Sequence, residues 1–124
     1  MKTAEEIKSE LLNYYGTEAY HKWSPLFANF VLTDGALFVC EECGAFWLAD
    51  MIASHLSKYK DEGFAVASLQ RVKESDAFKF LITDGNDRAL VRQDIEFSDF
   101  PLDTVVLYVA PQDSLWVVLL PSEW

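Results

Sequence analysis

Basic residues are scarce: this 124-residue chain has 10 Lys and Arg against 20 Asp and Glu, a formal charge of −10. A surface of that sign repels phosphate, which argues against direct nucleic-acid binding and against docking on an anionic membrane. It favours a basic protein partner. No run approaches the roughly eighteen apolar residues that span a bilayer. The opening MKTAEEIKSELL places acids where a secretory signal needs a basic end and an apolar stretch, so the expected location is cytoplasmic. Cysteine is nearly absent. Cys40 and Cys43 stand too close together to staple distant elements, which suits a reducing compartment. Linkers and low-complexity tracts are missing too, and 1–124 reads as a single domain. A glycine-rich phosphate loop, a G-x-S-x-G elbow and an HExxH helix are all absent, which leaves no catalytic, metal or cofactor motif to assign.

Apolar residues are plentiful, at 51% with aromatics at 15%, enough to build a core without metal or disulfide. Thr3-Ala4-Glu5-Glu6 is a capping box that should start a helix, with Ile7, Leu11, Leu12 and then Tyr14 or Tyr15 as its buried stripe and Gly16 as its end. The spacing next predicts a hairpin, with strands over 30–33 and 36–40 around an Asp34-Gly35 turn. A second helix follows over about 45–59, where Leu48, Ile52, Leu56 and Tyr59 recur at helical spacing. Strands are expected over 64–73, 78–83 and 89–97, the last two joined by a turn at Asp84-Gly85-Asn86-Asp87. The segments VVLYVA and LWVVLL, over 104–110 and 115–120, are apolar throughout and should be covered on both faces, by a helix, the hairpin or a second subunit. The fold class is therefore α+β: two helices packed on an antiparallel sheet of about five strands, plus an N-terminal β-hairpin. Thr-Asp-Gly occurs twice, but hairpin chemistry selects it anywhere, so no internal duplication is inferred.

Few residues carry chemistry. Cys40 and Cys43 could supply half a zinc site, but His55 stands about ten residues into the second helix, roughly 15 Å along its axis, beyond any shared metal. Placed before a helix, one thiolate would gain from the dipole what Glu41 and Glu42 take away, so small structural cysteines are the favoured reading. Asp50, Ser54 and His55 do not form a triad: adjacent helical residues diverge by about 100°. Asp50 and Ser54 share a face and should hydrogen-bond, and His55 reads as a partly buried structural histidine. The sharper candidates are Asp94, Glu96, Asp99 and Asp103. Asp94 and Glu96 alternate on an exposed strand face, and Asp99 and Asp103 flank Pro101 in the next loop, so the four could form a negative strip that meets a basic cleft. The bland alternative is a set of solvated charges that blunt a sheet edge against aggregation.

The stretches GTEAYHKW, TDGALFVCEECGAFWLADMIASH, DIEFSDFPLDTVVLYV and the closing LPSEW resemble a family of small uncharacterised bacterial and phage or plasmid proteins, a domain of unknown function. Its signatures are G-T-E, T-D-G, G-A-[FY]-W-L-x-D-x-I-A-S-H and a terminal L-P-S-E-aromatic. Cys43 departs from that pattern, which has a small residue such as Ala there. The resemblance implies a mobile-element accessory protein and supplies no catalytic residues.

The expectation is an acidic interaction protein instead of an enzyme, forming a homodimer through its doubly apolar strands. It would bind a protein partner of basic character at Asp94, Glu96, Asp99 and Asp103, with no cofactor. The alternative is a small enzyme or small-molecule-binding protein whose site is assembled from distant loops.

Overall fold

A computed structural model describes residues 2–58, 63–86 and 88–124. Tyr59, expected in the second helix, and Asp87, expected in the last turn, lie outside the described residues. The capping box forms: Thr3 accepts from the Glu6 amide, and Glu6 reaches back to the Thr3 amide, opening α1 (Ala4–Leu11). Ile7 is buried, but Leu12 caps the helix 80% exposed and Tyr15 is equally exposed, so the predicted stripe is too long and the helix ends well before Gly16. Leu11 and Tyr14 pack against the core, Tyr14 with its ring centre 5.1 Å from that of Phe38.

The expected hairpin is the main correction. Only its first arm is a strand, β1 (Phe30–Leu32), and the Thr33-Asp34-Gly35 segment opens a helix, α2 (Asp34–Glu42). The Thr33 hydroxyl accepts from the Ala36 amide as an N-cap, and Asp34 lies in the positive first turn. Gly35 supplies close approach, since a Cβ there would stand 2.6 Å from both Glu123 Oε1 and Leu120 Cδ1. The second Thr-Asp-Gly does make a turn: Gly85 has φ +88, the Gly85 amide donates to Thr83 Oγ1 and the Asn86 amide to Asp84 Oδ1. The same tripeptide thus serves two geometries, and Gly takes positive φ in only one of them.

Gly44, at φ 59, turns the chain from α2 into α3 (Phe46–Leu56). Five strands follow: β2 (Ala65–Arg71), β3 (Phe78–Thr83), β4 (Ala89–Ile95), β5 (Thr104–Gln112) and β6 (Leu115–Leu119). They assemble with β1 into one six-stranded sheet of order β1-β6-β5-β2-β3-β4, so β1 and β4 are its edges. Pairing is antiparallel except β1 with β6, which is parallel in the register Phe30 to Trp116 and Leu32 to Val118. The fold is α+β, with three α-helices among the described residues and a mixed sheet, where two helices and a purely antiparallel sheet were expected.

The three helices lie on one face. Their buried residues, Ile7, Val39, Leu48 and Ile52 among them, form one core with Phe30, Leu69, Phe78, Phe80, Leu107 and Val109. Val31, Val117 and Leu119 point to the other face and form a second, smaller cluster with Tyr108, Ala110 and Leu115 packed against it. Among the described residues neither an α-helix nor a hairpin covers that face. Phe64, Tyr108 and Trp124 form a ring cluster there, with centres 5.0 to 6.1 Å apart.

Candidate interaction site

Two assemblies bring polar side chains together from distant segments. The first stands beside β1 and joins the G-T-E, T-D-G and L-P-S-E segments. Asp34 Oδ2 accepts from the Glu18 amide at 2.9 Å, Asp34 Oδ1 pairs with His21 Nε2 at 2.8 Å, and the Asp34 amide donates to Thr17 Oγ1 at 2.9 Å. The Glu123 carboxylate accepts from the Thr33 hydroxyl at 2.6 Å and from the Gly35 and Leu120 amides at 3.0 and 2.9 Å. His21 also pairs with Leu32 through two backbone bonds of 2.8 Å, which covers the outer side of β1 at that residue.

Chemically this junction is already occupied. The Glu18 amide first, and the His21 side chain second, hold the Asp34 carboxyl below the ordinary carboxylate range. The Thr17 hydroxyl is held too, donating to the Ala19 carbonyl at 2.7 Å while it accepts from Asp34. A histidine and carboxylate pair with no hydroxyl or thiol released for attack is a structural clasp rather than a nucleophile and base. An open cleft of about 420 Å³ adjoins it, lined by Asn13, Tyr14, Gly16, Glu18 and Asp34 among others. The clasp residues were not singled out from the sequence one by one. The convergence of three short motifs far apart in the chain was the signal that could have found them.

The other residues weighed for chemistry are spent elsewhere. Cys40 and Cys43 precede α3, as expected, but they also close α2 at its C-terminal end, where the dipole disfavours a thiolate. Burial pushes the Cys40 thiol up to about 12, with Cys43, Asp50 and Glu41 adding to it, and burial with Glu42 pushes Cys43 up to about 11. Asp50 accepts from Trp23 Nε1 at 2.8 Å instead of meeting Ser54. His55 is half-buried, stacked on Phe80 with ring centres 6.2 Å apart and 3.4 Å from Gln93 Oε1. Among the described residues, no three His, Cys, Asp or Glu side chains are grouped to hold a metal ion.

The second assembly is where β4 ends. Arg71 closes β2, Phe78 opens β3, Ile95 closes β4 and Thr104 opens β5 at nearly one level of the sheet, which places Asp94, Glu96, Asp99 and Asp103 around the same end. All four are exposed. They are not equivalent. Asp103 is held by Arg71 Nε at 2.9 Å, and Asp94 lies opposite Lys79 in the β3 to β4 register, with Arg92 two residues away on the same face. Glu96 and Asp99 flank Phe97, which is 71% exposed. Phe97, Ile95 and Trp47 line a shallow groove of about 380 Å³ together with Ser98 and Asp99.

The groove is held from beneath. Phe100 is buried, edge-on to Trp47 at 6.4 Å and to Phe78 at 5.9 Å between ring centres. Arg71 ties the loop down further by donating to the Phe100 carbonyl at 2.8 Å. The exposed apolar surface therefore rests on an anchored loop. Nothing in the alternation of 94, 96, 99 and 103 revealed the aromatic lining. Phe97 was legible only as the last apolar residue of a strand that in fact stops at Ile95.

A model of a family of unknown function, DUF6876, matches residues 5–124, and the chain belongs to that family. Neither curated proteins nor solved structures contain a match to it.

Proposed function

We propose that this chain is a protein interaction module, an accessory of a mobile element, that binds a basic nucleic-acid-binding partner at the end of its sheet beside β4. The observation that carries this reading is the exposed Phe97 in a groove with Trp47 and Ile95, flanked by Glu96 and Asp99. Exposed aromatics set in an anchored surface are what contact sites concentrate, and carboxylates beside them favour a cationic counterpart while repelling phosphate. Asp94 extends the strip, whereas Asp103 is bound to Arg71 and contributes mainly to the loop.

The test is affinity capture from host lysate with the tagged chain and with a variant carrying Asp94→Asn, Glu96→Gln and Asp99→Asn. Asp103 is left intact to preserve the loop. A basic nucleic-acid-binding protein retained by the wild type, lost by the variant and displaced from its DNA by added wild type is the expected result. Capture of nothing but the chain itself overturns the reading.

The helix-free face supports a homodimer as a second element of this reading. Val106, Tyr108, Ala110 and Leu115 are only half-buried there, and Trp124 is 72% exposed beside them. Light scattering at micromolar concentration should give twice the 14.1 kDa chain mass; a monomeric mass refutes it.

A further inference from the structure

We infer that the helix-free face of the sheet carries a second, independent site, which binds a small zwitterion with its anionic group at Lys79 and Arg92 and its ammonium at Asp94. The site is a groove of about 240 Å³ over β2, β3 and β4, lined by Ser68, Gln70, Lys79, Leu81, Arg92 and Asp94 among others. The register sets these side chains in two adjacent rows. Ser68 lies beside Leu81 and Leu81 beside Arg92, while Gln70 lies beside Lys79 and Lys79 beside Asp94. Cross-strand neighbours share a face of the sheet, and the residues that alternate with them, Leu69, Phe78 and Phe80, belong to the core under the helices.

The charges on this face select the ligand. Among the described strand residues, those that stand on it with a charge are Lys79, Arg92 and Asp94. Arg71 lies on the other side, over the Phe78 ring, and is spent on Asp103 and the Phe100 carbonyl. Arg88 and Glu96 stand beyond the two ends of β4 and do not line the groove. Lys2, Lys8 and Arg71 each meet a carboxylate, whereas no described residue forms a hydrogen bond or ion pair with the side chain of Lys79, Arg92 or Asp94. Three charged groups therefore converge on one groove unpartnered.

Lys79 and Arg92 are diagonal neighbours across the ladder, close enough for two long side chains to reach one anion. Two cations against one carboxylate leave the groove net positive on a chain whose formal charge is −10. That excess favours an anion, while the acidic remainder of the surface repels a long polyanion. A small ligand avoids the repulsion. The Arg92 fork takes a carboxylate or a phosphate through two parallel hydrogen bonds. Asp94 then discriminates among small anions, because it repels a second anionic group and accepts from an ammonium. Arg92 and Asp94 stand two residues apart on one strand, about 7 Å, a separation that a ligand bridges with a few bonds between its charged ends. Gln70 and Ser68 offer hydrogen bonds along its length, and Leu81 lies beneath it.

The experiment titrates the isotope-labelled full chain at low salt and follows its amide resonances by nuclear magnetic resonance. The probes are γ-aminobutyrate and O-phosphoethanolamine, which join an ammonium to a carboxylate and to a phosphate, with succinate and putrescine as controls bearing one sign of charge. The expected result is a saturable shift of Gln70, Lys79, Arg92 and Asp94 by a zwitterion, with the better probe telling carboxylate from phosphate. Putrescine should leave these resonances in place. Arg92→Gln should weaken zwitterion binding about tenfold or more, the scale of a hydrogen bond to a charged group. Asp94→Asn should weaken the zwitterion about as much yet leave succinate unchanged or tighter, a reversal that a merely structural role does not produce. Both variants alter exposed side chains, and unchanged resonances away from the groove verify their fold. If neither zwitterion shifts these residues, or if Arg92→Gln binds as the wild type does, the inference is overturned, and Lys79 and Asp94 serve only to neutralise each other across the strands. The partner reading stands or falls separately, because Phe97, Glu96 and Asp99 lie outside this groove.

Discussion

Glu123 holds Thr33: the Glu123 carboxylate accepts from the Thr33 hydroxyl at 2.6 Å, across 90 residues of sequence. Thr33 is 2% exposed, and its oxygen also caps α2 by accepting from the Ala36 amide. Glu123 further accepts from the Gly35 amide, adding a negative charge where the helix dipole is positive. Glu123→Ala leaves a buried hydroxyl and two amides without this acceptor, at a cost of about 2 kcal/mol. For a chain of this length the melting temperature should fall by roughly 8 °C. Thermal unfolding followed by circular dichroism checks this, with Glu123→Gln losing less because its amide oxygen can still accept. An unchanged melting temperature would show that the clasp contributes nothing.

Asp34 makes stability depend on acid. Its folded carboxyl titrates below the unfolded value, chiefly through the Glu18 amide and secondly through His21. The stabilisation is therefore complete above the unfolded carboxylate value of about 4 and is lost as pH falls towards the folded one. Asp34→Asn should unfold at lower urea concentration than the wild type at pH 7, and the gap should narrow below about pH 4. Urea titrations between those values measure it. A gap independent of pH would assign the effect to packing.

The two cysteines should be inert until the protein opens. With the Cys43 thiol at about 11 and Cys40 at about 12, the thiolate fraction near pH 8 is lower than that of a free cysteine by roughly 100-fold or more. Ellman's reagent should label neither promptly in the folded chain and both at once in urea. Prompt labelling of the folded chain would restore the redox reading.

Much of the architecture was legible because its signals are local. The Thr3 and Glu6 box, the Leu48, Ile52 and Leu56 stripe and the Asp84-Gly85 turn each specify their element within a few residues. The 33–43 segment was misread because its discriminating partners are distant. Ala36, Val39, Cys40 and Cys43 are buried at helical spacing, but Leu37 and Phe38 between them are also apolar, which masks the period and mimics a strand. What makes Thr33 a cap rather than the edge of a turn is reinforced by Glu123, and no local propensity encodes that. The acidic strip was legible as four residues, while its division was not, because only the fold brings Arg71 to Asp103 and Lys79 opposite Asp94.

Arg71 is the residue whose loss should damage the proposed site without touching it. Its Nε donates to Asp103 at 2.9 Å, its Nη1 to the Ser75 carbonyl at 3.1 Å, and its Nη2 to the Phe100 carbonyl at 2.8 Å. Its guanidinium also lies 4.6 Å from the Phe78 ring centre. Three donors in one plane serve three acceptors on two loops, a pattern that a lysine ammonium on a flexible stem does not reproduce. Arg71→Lys should therefore cost nearly as much as Arg71→Ala, about 2 kcal/mol, whereas Asp103→Asn at an exposed partner should cost under about 1 kcal/mol. Urea unfolding of the three variants measures that order. If Arg71→Lys matches the wild type, the charge alone holds the loop, and the fork to the Phe100 carbonyl is not what keeps Phe97 and Trp47 in place.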